Sequence, residues 1–186
     1  MGRIGPKGTE IPPHPRQDPR FSGELTEEGI RFVFKDTVDF DQRPILIGGD
    51  PEKRATIFAI MGQVRFERLN DYVLRPLVMD LRFREASPEQ AFRLMTEGGI
   101  YAGVKVLTTL DQAAFELVAG NVVLSFPAVG KMLSCFTITE EKRGVSKPEN
   151  EPSIKGAMDS FVESLRTNTS LVRRRLRAPE LKVKEV

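Results

Sequence analysis

Apolar residues recur along this chain in short blocks, and their spacing alternates between helical and extended. Ile30, Val33, Phe34 and Val38 recur at helical spacing, which predicts a helix that Ser22 can cap. Residues 44–47 and 54–60 are apolar and rich in β-branched side chains on either side of Gly48-Gly49-Asp50-Pro51, which predicts two strands around a turn. Leu69, Val73, Leu77 and Leu81 mark one stripe of a helix over 66–81. Pro76 lies inside it and has no N–H to donate, so a kink or break is expected there.

The next stretch carries clearer punctuation. Ser87-Pro88-Glu89-Gln90 is a capping box with proline at the first helical position, and the helix it opens should stop at Gly98-Gly99. A strand is predicted over 100–107. Thr109-Leu110-Asp111-Gln112 is a second possible capping box, for a helix ending at Gly120. Two further strands, 122–126 and 132–139, flank a turn through Pro127 and Gly130. Residues 140–155 are polar and read as a loop. Ser160-Phe161-Val162-Glu163 then opens a last helix with Phe161, Leu165, Val172 and Leu176 on one face, ended by Pro179.

Helices interleaved with about five strands predict an α/β domain, with a mixed sheet of about five strands flanked by helices. Residues 1–20 hold five of the thirteen prolines and almost no apolar side chains, so they read as a disordered arm. The expected organisation is that arm, an α/β subdomain over 21–159, a basic helix over 160–178, and a short tail over 179–186. No internal repeat is visible.

Composition narrows the function classes. With 40% hydrophobic and 29% charged residues the chain fits a soluble globular protein. A single cysteine excludes an internal disulfide and suits a reducing compartment. The first 20 residues lack the apolar core of a signal peptide. No apolar run approaches the ~20 residues that a membrane span requires. Total charge is +2, yet residues 166–186 carry seven Lys or Arg against two Glu, a net of +5 that leaves −3 for the rest. A basic end on a mildly acidic body suits an anionic partner, or simply a solvated helix end.

Catalytic and metal chemistry find little support. Cys135 lies in an apolar strand and His14, the only histidine, in the arm, so no Cys/His pair is indicated and Cys135 reads as a packing thiol. One His and one Cys cannot supply the four N or S ligands of a structural zinc site, and no cofactor is implied. Asp39 and Asp41 read as a helix-end loop. Gly48-Gly49 belongs to no phosphate-binding pattern and reads as a turn.

The sharpest signal is the run from Leu165 to Leu176. Four polar residues, Thr167, Asn168, Thr169 and Ser170, compete for backbone hydrogen bonds, so a break or tight bend is expected at Asn168 and Thr169. Arg173, Arg174 and Arg175 then point in three directions around a helix. One of them suits the negative end of the helix dipole, but one or two must meet solvent or an anion. Arg166 adds a fourth cation.

These residues carry a resemblance. Lys155-Gly156-Ala157-Met158-Asp159-Ser160-Phe161, and above all Leu165-Arg166-Thr167-Asn168-Thr169-Ser170-Leu171-Val172-Arg173-Arg174-Arg175-Leu176, resemble a hallmark of the A subunits of GerA-family germinant receptors. Tyr72-Val73-Leu74-Arg75-Pro76-Leu77 is similar to that family's proline-containing helix. Phe21-Ser22-Gly23-Glu24-Leu25 resembles its opening helix. The resemblance implies the N-terminal soluble subdomain of a receptor component on the spore-core (cytoplasmic) face of the inner spore membrane, in a protein that continues into a second subdomain and a membrane bundle. Residues 179–186 would then start the linker onward.

The resemblance also implies a non-enzymatic module that works with B and C subunits, or with other A subunits, to trigger germination when nutrients appear. Arg166, Arg173, Arg174 and Arg175 would make the partner contacts, with an anionic membrane surface as a further partner, and Asn168 and Thr169 would shape the bend. The alternative from the residues themselves is a small-molecule (nutrient) binding α/β domain, since such sheets hold ligands at their strand ends. Nucleic-acid binding is the third possibility, but the basic end has only Phe161 near it for base stacking, and no nucleic acid is expected.

Overall fold

The structure, a computed structural model, describes residues 21–97, 103–137 and 164–184. The arm over 1–20, the predicted stop at Gly98-Gly99, the polar loop and the third capping box lie outside the described residues. Among the described residues five strands form one sheet in the order β1-β2-β4-β5-β3, where β1 is Phe40–Leu46, β2 Arg54–Ile60, β3 Val104–Leu107, β4 Val122–Phe126 and β5 Lys131–Cys135. Every pairing is antiparallel, which corrects the expected mixed sheet. The reason is topological. β3 and β4, joined by helix α6 (Leu110–Val118), do run parallel, but β5 lies between them and pairs antiparallel with both.

Helices cover both faces. Helices α2 (Phe66–Leu69), α3 (Arg75–Met79), α4 (Leu81–Glu85) and α5 (Pro88–Thr96) lie on one side, where Val73, Leu77, Phe83 and Phe92 meet Ile57, Leu124, Phe126 and Leu133. On the other side α1 (Glu27–Val33) and α6 bring Ile30, Phe34, Ala113 and Leu117 against Phe58, Ile60 and Val123. All five residues of β4 are therefore buried, while β1 and β3 form the outer edges. Each such apolar side chain taken from water contributes about 1.5–3 kcal/mol. Pro44 sits in the middle of β1, a position that proline tolerates only on an edge strand.

Local chemistry sets the element ends. Thr26, rather than Ser22, caps α1, accepting from the Gly29 amide at 3.0 Å. The helix closes at Phe34, and Asp36 turns left-handed, which throws Val38 off the helix and into solvent. At Ser87 both arms of the capping box form, the Gln90 amide donating to Ser87 Oγ at 3.2 Å and the Ser87 amide to Gln90 Oε1 at 2.8 Å. Thr109 caps α6, but Gln112 reaches back to the Thr108 amide instead.

Pro76 breaks nothing. A wide i→i+5 turn over Asn70–Leu74 precedes it, and such a turn accommodates a residue with no N–H to donate. The interruption falls at Asp80, whose carboxylate accepts the Arg82 amide at 2.9 Å and opens α4. Leu81 thus leaves the buried stripe and is exposed. Between β1 and β2, Gly48 has φ 63°, and a Cβ there would stand 2.4 Å from Arg84 Cα, so the turn admits only glycine.

Candidate functional site

The C-terminal helix α7 (Leu165–Leu176) begins at Ser164, whose Oγ accepts the Thr167 amide at 3.4 Å. It runs without interruption, which corrects the bend expected at Asn168 and Thr169. The hydroxyls that would compete with the helix are occupied. Thr169 Oγ1 donates back to the Leu165 carbonyl at 2.9 Å, and Ser170 Oγ donates outward to the Gly62 carbonyl at 2.6 Å. Gln63 returns the contact, its Nε2 donating to Ser170 O at 2.9 Å and Oγ at 3.0 Å.

Arg173 points inward and is 1% exposed. Its Nε and Nη2 fork onto the two oxygens of Asp39, with Nη2 at 2.6 Å from Oδ1, and Nη2 also donates to Thr37 Oγ1 at 3.0 Å. The Thr37 hydroxyl is fully used: it donates to Asp39 Oδ1 and accepts from Arg173 and from the Val183 amide. The partner-binding role expected of Arg173 is therefore corrected. A buried guanidinium must be paired, and its partner is this domain's own loop between α1 and β1.

Arg174 and Arg175 are exposed on the same turn. Arg175 keeps an interaction within the molecule, whereas Arg174 makes no ion pair among the described residues. Arg166 lies on the helix, but its side chain falls outside the described residues. Arg177 closes the helix with φ 44°, donating to the Arg173 carbonyl at 2.8 Å. Beyond it the tail returns to the body, where the Val38 amide donates to Val183 O at 3.0 Å and Lys182 Nζ to the Val33 carbonyl. The basic end of α7 is thus held by Thr37, Asp39, Gly62 and Gln63. Sequence reasoning gave none of these four a role in a site, because they lie over a hundred residues away in the chain.

A second polar cluster was also missed. Glu116 on α6 is buried and accepts from Lys105 Nζ at 2.9 Å, Asn121 Nδ2 at 2.6 Å and Ser134 Oγ at 3.1 Å. With its oxygens used in this way it ties α6 to β3 and β5, a structural role.

Cys135 is buried on the opposite face, and burial pushes its thiol up to about 12, so no reactive thiolate forms there at neutral pH. No group of three or more His, Cys, Asp and Glu could hold a metal ion among the described residues. Nor is any helix among them long and apolar enough to cross a membrane.

One cavity lies under the wide helical turn. It encloses about 310 Å³ between Ile57 and Ala59 of β2 and Phe66, Leu69 and Leu74. Asp41 and Arg43 of β1, paired at 2.7 Å, line it from the sheet edge.

Residues 28–186 match the family described as Bacillus/Clostridium GerA spore germination protein. The chain is 32% identical over 127 residues to an uncharacterized membrane protein of Bacillus subtilis, YfkQ, covering 68% of this chain and 24% of that one. It is 28% identical over 144 residues to spore germination protein KA of the same organism, covering 77% of this chain and 26% of that one. The chain therefore spans about a quarter of the length of these relatives. Its fold is similar to the crystal structure of the N-terminal domain of the A subunit of the Bacillus megaterium spore germinant receptor GerK3, with TM-score 0.61 and 23% identity, over 86% of this chain and 57% of that one. The match over residues 28–186 shows that the chain belongs to the GerA family of spore germination proteins.

Proposed function

We propose that this domain is a non-enzymatic assembly module of a spore germinant receptor A subunit, contributing to nutrient-triggered germination through subunit contacts and signal relay. Its partners are the receptor's B and C subunits or other A subunits, and its place is the spore-core face of the inner spore membrane. The observation that carries this reading is Arg174, an exposed cation on a helix whose next-door arginine is pinned to Asp39. The pin fixes the direction in which Arg174 faces, and a charge presented in one direction steers a partner and sets its register. An anionic membrane surface is the other partner such a cation suits.

The test is charge reversal of Arg174 and Arg175 to Glu in the full-length subunit, with Arg173 left intact to keep the helix docked. The circular dichroism spectrum should be unchanged, co-purification with B and C subunits should fall, and germination should slow. Normal germination of spores carrying both changes would defeat the reading.

The cavity between β2 and the wide turn favours a second reading, a small-molecule (nutrient) binding domain. Its size lies at the lower end of ligand sites, and its walls are mostly apolar with a few polar groups. A thermal-shift screen with amino acids, sugars and nucleosides decides it. A true ligand at a hundredfold excess over Kd should add about 2.7 kcal/mol of stability, and no shift with any compound removes this reading.

A further inference from the structure

Helix α7 is attached in an unusual way. No apolar side chain of it belongs to either core, and Leu165 and Leu176, at its two ends, are 75% and 57% exposed. Helices of globular domains normally stay in place by burying an apolar stripe. This one is held by a polar seam: Ser170 against Gly62 and Gln63, and Arg173 against Thr37 and Asp39. The tail adds the Val38–Val183 backbone bond and the buried ring of Pro179.

Two features weaken the seam. Arg173 Nη1 is buried with no hydrogen-bond acceptor, so part of the cost of burying the guanidinium is uncompensated. Arg177 occupies the left-handed region that favours glycine. A buried ion pair contributes little net stability against its own desolvation. Polar contacts of this kind can be wetted once apart, and the apolar surface that α7 covers along with them is limited to the half-buried Leu171 and Val172, with the ring of Pro179 behind it.

We propose that α7 and the tail behind it form a detachable latch. The unit docks on Thr37, Asp39, Gly62 and Gln63 and comes off as one piece, opening neither apolar core. Docked, it sequesters the Arg173 guanidinium. Released, it frees Arg173 to join Arg174 as an accessible cation and uncovers the Asp39 carboxylate. A 12-residue helix is too short to persist alone in water, so release also melts it. The domain thereby has two states that differ in the charge it shows, with the same sheet in each. This inference stands on the seam alone and holds whether or not the domain works in a germinant receptor.

Amide hydrogen exchange of the full chain, resolved by NMR, tests it. The α7 amides, the Val183 amide and the distant Val38 amide should open at one shared rate, at least tenfold faster than the amides of β2 and β4. Asp39→Asn should speed that group about tenfold more and Ser170→Ala severalfold, and in both variants the group should stay at least tenfold ahead of β2 and β4, with a smaller urea dependence of its opening. The milder Ser170→Ala keeps the test readable if Asp39→Asn disturbs the fold. If α7 exchanges at the rate of β4 with the same urea dependence, or if neither variant speeds it, the helix is an integral part of the fold and the latch does not exist.

Discussion

Arg173 and Asp39, 134 residues apart in sequence, meet through a two-point fork that is 1% exposed on the arginine side and 11% on the aspartate side. The fork spans the whole described fold, tying the last helix to the loop that precedes the first strand. Its geometry is the planar, two-bond match that arginine makes with a carboxylate and lysine cannot.

Because the arginine is the more buried partner, losing the aspartate should hurt more. Asp39→Leu strands a guanidinium in the interior, while Arg173→Met leaves Asp39 bonded to Thr37 and near water. The pair of changes together should cost less than the two singly, with a coupling of about 0.5–3 kcal/mol in urea unfolding. Additive losses would mean that the fork contributes no pairwise stability.

The two glycines between β1 and β2 should respond differently to a methyl group. Gly48→Ala drives Cβ to 2.4 Å from the Arg84 backbone, whereas Gly49, with φ 75°, has nothing within 4 Å of the same atom. Gly49→Ala should lose only the left-handed backbone cost of about 1–2 kcal/mol. Gly48→Ala should lose clearly more, because β1 and α4 must separate. Equal losses in chemical denaturation would show that the Arg84 contact relaxes freely.

Cys135 should impose an alkaline instability. Burial raises its folded thiol from 9.0 to about 12, so above pH 9 the unfolded chain ionises while the folded one does not. The unfolded state then binds fewer protons, and stability falls as pH rises from about 9 to about 12, by up to about 1.4 kcal/mol per pH unit. The contribution is complete below pH 9. Unfolding of the wild type and Cys135→Ala compared across this range should show a steeper decline for the wild type. Below pH 9 the native thiol should resist alkylating reagents until denaturant is added.

Much of the scaffold could be read from local chemistry. The Ser87 capping box, the strands over 54–60 and 122–126 and the glycine turn at 48–49 appear as read, because each depends on residues within a few positions of one another. The departures share one cause, which is a partner supplied from elsewhere in the chain or an alternative donor close by. The polar run Thr167–Ser170 was expected to bend its own helix, but Thr169 donates back to the Leu165 carbonyl and Ser170 donates outward to the Gly62 carbonyl. Arg173 was expected outside, but Asp39 and Thr37 pair it inside. Pro76 was expected to kink or break a helix, and the helix does not break there but widens one turn ahead of it. In the candidate site the exposed charge of Arg174 was legible, since three successive arginines cannot share one side of a helix. Which of the three turned inward was not legible, because that depends on where a loop 134 residues earlier comes to rest.

Pro44 governs how copies of this domain behave when crowded. An outer strand normally offers a row of backbone donors and acceptors to any neighbouring chain and so templates runaway sheet growth. Here the middle of that row lacks a donor, and exposed Gln42 and Arg43 lie beside it. Copies brought together at high concentration would then meet through side-chain surfaces they can let go of, rather than zip irreversibly along β1.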